Sequence, residues 1–243
     1  MTEDVVGTDN VAFLIDRSRK KSALAIGGTW LAFILAVCFA LPQPPNPLHV
    51  AIGSAVGALL VVIGFSAAAR CRTVPVHSAK QRTKLAALAA SAGAALGFVL
   101  LMALVFLANH EPALRARFAG RLSEPTWRPW ALSFESSILE EVAFRLFAMS
   151  VVAWLLSRLL GDSRATWFTA LAVSALLFGL AHIPAWLAAT HATPGLVGGV
   201  LLLNGAGGLL LGWIFWRGGL PYAIICHLFG DAVVQGLGPR LLS

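Results

Sequence analysis

The chain has 243 residues, 58% of them hydrophobic and 12% charged, with a formal net charge of +7. Soluble domains average about 45–50% apolar and about 25% charged residues, so this composition excludes a water-soluble enzyme and points to a lipid bilayer as the main surroundings. The basic residues lie between apolar blocks, which is the pattern of topology control and calls for no nucleic-acid partner.

Seven apolar blocks predict membrane helices over residues 22–41, 49–69, 85–108, 130–157, 166–184, 195–216 and 220–237. Each is near the ~20 residues that a helix needs to cross a hydrocarbon core. The expected fold is all-α: a polytopic transmembrane helical bundle of seven spans. Ahead of the first block, residues 1–21 are polar and end in Arg17, Arg19, Lys20 and Lys21. The link between the second and third blocks holds Arg70, Arg72, Lys80, Arg82 and Lys84, and Arg158, Arg164 and Arg217 fall on that same side. By the positive-inside rule this side, and the N-terminus with it, is cytoplasmic. Usage of Ala, Arg and Trp points to a bacterial cell membrane.

One link dissents. Arg115, Arg117, Arg121 and Arg128 follow the third block, on the opposite side. Either this segment lies along the interface as an amphipathic piece, or the count is off by one and there are eight spans. The chain thus divides into a cytoplasmic segment (1–21), N-terminal membrane helices with an arginine-rich link (22–128) and a core that carries the chemistry (129–243). Small residues four apart, at Gly53 and Gly57, Gly93 and Gly97, Gly195 and Gly199, and Gly208 and Gly212, let helix backbones approach closely in lipid; they are assigned to packing alone. Cys38, Cys71 and Cys226 are far apart and form neither a disulfide framework nor a zinc knuckle.

Five charged residues remain inside apolar blocks: Glu135, Glu140, Glu141, Arg145 and Asp231, joined by His182 and His227. An ionisable group at the bilayer centre costs roughly 2.5–3.5 kcal/mol on insertion scales, so such residues face a partner or a wet cavity and are functional candidates. On the fourth helix Glu141 and Arg145 are four apart and can neutralise one another. Glu140, about 100° further round, keeps no local cation and suits a general base. Phe178 and His182 share a face of the fifth helix, and His227 and Asp231 a face of the seventh, where the carboxylate can orient the imidazole. Each set also reads as a packing network. Glu140, His182 and His227, with Glu141 and Asp231 nearby, could instead ligate zinc; no other cofactor is called for.

Together, Glu140-Glu141-x-x-x-Arg145, Phe178-x-x-x-His182 and His227-x-x-x-Asp231, on three membrane helices in this order, resemble the CPBP family of intramembrane proteases, which includes the type II CAAX prenyl endopeptidases. The resemblance covers residues 130–237. It implies that Glu140 activates the attacking water, that His182 helps hold it, that His227 and Asp231 stabilise the oxyanion, and that Glu141 and Arg145 brace the site. An ionised Asp231 would repel an oxyanion that an Asn would stabilise. Its role is therefore donation from a protonated form or orientation of His227. The implied partners are the bilayer and a membrane-associated peptide or protein substrate: a lipidated CAAX tail or a bacteriocin leader. Two other classes compete, a non-enzymatic immunity or scaffold protein and a small proton-coupled transporter.

Depth poses a difficulty. At 1.5 Å per residue, Glu140 and His182 lie about 25 Å from the cytoplasmic ends of their spans and His227 only about 10 Å from its own. They meet only if the fourth and fifth helices project from the membrane, or if the sixth is tilted or broken near Gly207-Gly208.

Overall fold

The computed structural model describes residues 24–36, 38, 46–71, 78–187 and 193–242. The polar N-terminal segment with its four basic residues and Arg72 lie outside the described residues. Everything regular within them is helical. The first apolar block forms α1, a shorter apolar helix described over Leu24–Ala36. Six helices are long and apolar enough to cross: α2 (Pro47–Arg70), α3 (Ala79–Ala108), the 33-residue run Arg128–Leu160, α7 (Arg164–Leu187), α8 (Pro194–Gly218) and α9 (Leu220–Leu242). The long run is compound: α5 (Arg128–Glu140), a π-helical segment (Glu141–Met149) and α6 (Ser150–Leu160).

Local sequence explains where the helices begin. Asn46 caps α2 by accepting from Leu48 N, with Pro47 in the first turn. Ser78 and Gln81 form a reciprocal capping box on α3, and Thr193 caps α8 by accepting from Leu196 N at 3.0 Å. These side chains satisfy amides that a helix start leaves unpaired, and proline lacks the amide that would need satisfying. Gly161 (φ 68°) and Gly219 (φ 100°) turn the chain after α6 and α8, in a conformation that favours glycine. α7 and α9 run through Pro184 and Pro239, past the ends expected from sequence, because neighbouring membrane helices tolerate an interior proline.

The arginine-rich link forms a short helix rather than a span. Its helix α4 (Pro112–Ala119) has eight residues and buries Leu114 and Phe118 in a cluster with Leu101, Leu196, Val200 and Leu242. Arg115 donates to Ala108 O and Asn109 Oδ1, and Glu124 pairs with both Arg121 and Arg128. At the opposite end of the bundle, Arg70 and Arg158 lie over the Trp154 ring, Arg217 over Trp213 and Trp216, and Trp167 stacks on Trp216. Arg70, Arg158 and Arg217 therefore share one aromatic-rich rim, as an interface belt requires.

α7 and α8 pack antiparallel, with Gly208 against Ala175 and Gly212 against Leu171. α9 leaves this pair after Gly219 and packs chiefly along α3 and α5. A Cβ at Gly93 would strike the Cys226 carbonyl and one at Gly97 the Gly230 carbonyl, so α3 and α9 touch backbone to backbone. The Gly93/Gly97 pair packs as expected, and its contacts, Cys226 and Gly230, are the chain neighbours of His227 and Asp231. α8 is continuous through Gly207-Gly208, so no break there brings the charged residues level. Glu140, His182 and His227 meet nonetheless, in a bundle whose π segment and whose α9, packed chiefly on α3 and α5, depart from the straight helices of constant rise on which the reckoning of depth rests.

Candidate active site

The π segment carries Glu141 and Arg145. The Phe144 carbonyl within it accepts from Ser174 Oγ of α7 at 2.7 Å, an outside donor at a place where the regular ladder is altered. Short π stretches recur at functional sites. Glu141 and Arg145 are both fully buried, 3.3 Å apart. The guanidinium lies 4.4 Å from the centroid of Phe178, whose ring also meets His182 edge-on at 4.7 Å, Phe144 at 5.3 Å and His227 at 5.9 Å. Phe178 is thus the hub on which the cation and both imidazoles rest. The three guanidinium nitrogens have no hydrogen-bond partner, so the ion pair and the aromatic face are what offset desolvation of this charge.

Each histidine is anchored through Nδ1. His182 Nδ1 is 2.8 Å from the Phe178 carbonyl, which can only accept, so the proton lies on Nδ1. His227 Nδ1 is 2.9 Å from Glu141 Oε1. Both rings consequently present Nε2 to Glu140: its Oε2 is 3.8 Å from His182 Nε2 and 3.6 Å from His227 Nε2. Asp231 Oδ1 is also 3.6 Å from His227 Nε2. These separations exceed a direct hydrogen bond and suit bridging by water. Glu140 Oε2 has no hydrogen-bond partner.

Glu140, His182, His227, Asp231 and Phe178 line one cavity of about 80 Å³, walled also by Leu96, Leu100, Asn204 and Gly207. A site of this size and polarity holds a few water molecules. The structure therefore brings together all seven residues that the motifs single out: four around the cavity, with Phe178 as hub and Glu141 and Arg145 behind it. Glu135, also picked out as a charge in an apolar block, is half-buried and lies outside that lining. Among the described residues, no group of three or more His, Cys, Asp or Glu side chains is disposed to hold a metal ion.

Sequence reasoning passed over three residues. Ser136 contacts Asp231, Gln235 donates to Asp231, and Asn204 sits in the cavity wall with its amide donating to Val200 O. For two of them a signal existed: Ser136 precedes Glu140 by four residues and Gln235 follows Asp231 by four, so each shares a helix face with a charged residue already singled out.

Fold and site together define an integral membrane protein whose ionisable groups converge on a small polar cavity inside a helical bundle. A family model described as Type II CAAX prenyl endopeptidase Rce1-like matches residues 93–233. The chain belongs to this family of CAAX protease-type intramembrane endopeptidases. The match starts at Gly93, where α3 meets α9, and runs through all three motifs. No curated protein and no solved structure gives a significant match to the chain.

Proposed function

We propose that the protein is a glutamate-dependent intramembrane endopeptidase that hydrolyses a peptide bond of a membrane-associated substrate with water activated by Glu140. The observation that carries the reading is the convergence of two imidazole Nε2 atoms on one Glu140 oxygen, at 3.6 and 3.8 Å, across a gap sized for water.

In this reading the water donates one hydrogen bond to Glu140 and a second to the free Nε2 of His182, which fixes the direction of its lone pair. As the water oxygen bonds to the scissile carbonyl carbon, its proton passes to Glu140. The carbonyl oxygen becomes an oxyanion on the His227 side, where a ring bearing both protons donates through Nε2 while Nδ1 stays bonded to Glu141. Collapse of the tetrahedral intermediate breaks the C–N bond, and Glu140 returns its proton to the leaving amine. Arg145 and Phe178 hold the two motif-bearing helices in register behind the site. The substrates are peptides near the membrane surface: prenylated CAAX-like tails, or leader peptides of the bacteriocin type.

The test is cleavage of a membrane-peptide library that includes farnesylated and unprenylated CAAX peptides, by purified wild type, Glu140→Gln and His182→Ala. Lost cleavage with retained thermal stability supports the reading. Collapse of the fold in both variants, with no cleavage by wild type, makes the cluster a packing network in a scaffold protein.

A further inference from the structure

A run of hydrogen bonds leads from the arginine-rich link to Asp231. Arg121 Nη2 donates to Gln235 Oε1 at 3.0 Å. That contact fixes the orientation of the amide, because the oxygen must face the guanidinium and the NH2 group then points the other way. Gln235 Nε2 donates to Asp231 Oδ2 at 3.3 Å. From α5, Ser136 Oγ reaches the same Oδ2 at 2.6 Å. Its other acceptor, the Ser133 carbonyl, is 3.3 Å away, so the single hydroxyl proton is best spent on the carboxyl oxygen. Asp231 Oδ2 is thereby held from two sides, and Oδ1 is the oxygen left to face His227 Nε2 at 3.6 Å and the cavity.

An Asp side chain has a broad, roughly two-fold χ2, so without these donors its two oxygens would exchange places and the group would swing. We propose that Ser136, Gln235 and Arg121 are positioning residues that clamp Asp231 by one oxygen and present the other to the reaction, which makes the arginine-rich link part of the catalytic apparatus. This rests on the protease reading above. Arg121 acts at a distance, through the Gln235 amide alone; its other partner, Glu124, serves the link.

The experiment uses the full chain in lipid nanodiscs, with a fluorogenic farnesylated CAAX peptide as probe. Ser136→Ala, Gln235→Leu and Arg121→Ala are each expected to lower kcat by about 10-fold, with KM within about twofold, since small misplacements at a reacting centre cost up to ~100-fold. Ser136→Thr, which keeps the hydroxyl, restores the rate. In the Gln235→Leu background, Arg121→Ala has no further effect, as residues acting through one another are not additive.

A separate readout follows the carboxyl band of Asp231 by infrared spectroscopy, identified by its loss in Asp231→Asn. The band shifts in Ser136→Ala and in Arg121→Ala if the clamp exists. Independent, additive effects of Arg121 and Gln235, a loss of thermal stability with kcat unchanged, or an unmoved Asp231 band overturns the inference. A Glu140→Gln variant that still cleaves, or a wild type that never does, overturns the protease reading instead and leaves the infrared band to decide the clamp.

Discussion

α2 and α9 grip the same π segment from different sides, and the contrast between them separates scaffold from chemistry. α2 contains no Asp, Glu or Lys and carries its one Arg at its end. It meets the segment through Gly64, where a Cβ would strike the Leu146 backbone, and through Val61 in the cluster around Leu146 and Met149. α9 meets it through His227 on Glu141 and bears Asp231 and Gln235 further along. Both helices use glycine to bring backbones close: Gly64 on α2 against Leu146, and Gly230 on α9 against Gly93 and Gly97. Close packing is therefore common to both helices, whereas of the two only α9 brings ionisable side chains, His227 and Asp231, to the cavity.

The largest expected effect lies at the cavity that α9 helps to line. Glu140→Gln lowers kcat by about 100- to 10,000-fold, the usual worth of a general base, with little change in thermal stability. Arg145→Met leaves Glu141 buried without its cation and costs about 3–5 kcal/mol, read as a lower denaturation midpoint in nanodiscs. Next comes the glycine contrast. Gly97→Val forces α3 off the Gly230 carbonyl and costs about 1–3 kcal/mol, together with activity, because Asp231 moves with Gly230. Gly57→Ala meets only the Phe33 ring, which can turn aside, and costs less than about 1 kcal/mol with cleavage intact. If Gly57→Ala proves as damaging to cleavage as Gly97→Val, the division into scaffold and chemistry fails. The smallest effect is none: a zinc chelator leaves cleavage unchanged under the glutamate reading, and loss reversed by added zinc moves the nucleophile onto a metal.

Much of this was readable because membrane helices expose their exceptions. A carboxylate or imidazole in an apolar block costs enough to stand out, and four-residue spacing puts Glu141 with Arg145, Phe178 with His182 and His227 with Asp231 on shared faces. The helical class followed from block length in the same way. Depth was not readable. It was reckoned from straight helices of constant rise, and neither the π segment nor the departure of α9 toward α3 leaves a mark in composition. Ser136, Gln235 and Asn204 escaped notice for a related reason: neutral polar groups cost less in hydrocarbon, so only their spacing from charged neighbours could have drawn attention to them. The Gly93/Gly97 pair was visible, but nothing in the sequence said which helix it would meet.

The bond between Glu141 and His227 spans 86 residues of chain. A ribosome adding roughly 5–20 residues per second makes the first of these partners several seconds before the second. The constellation is thus complete only once α9 has been made.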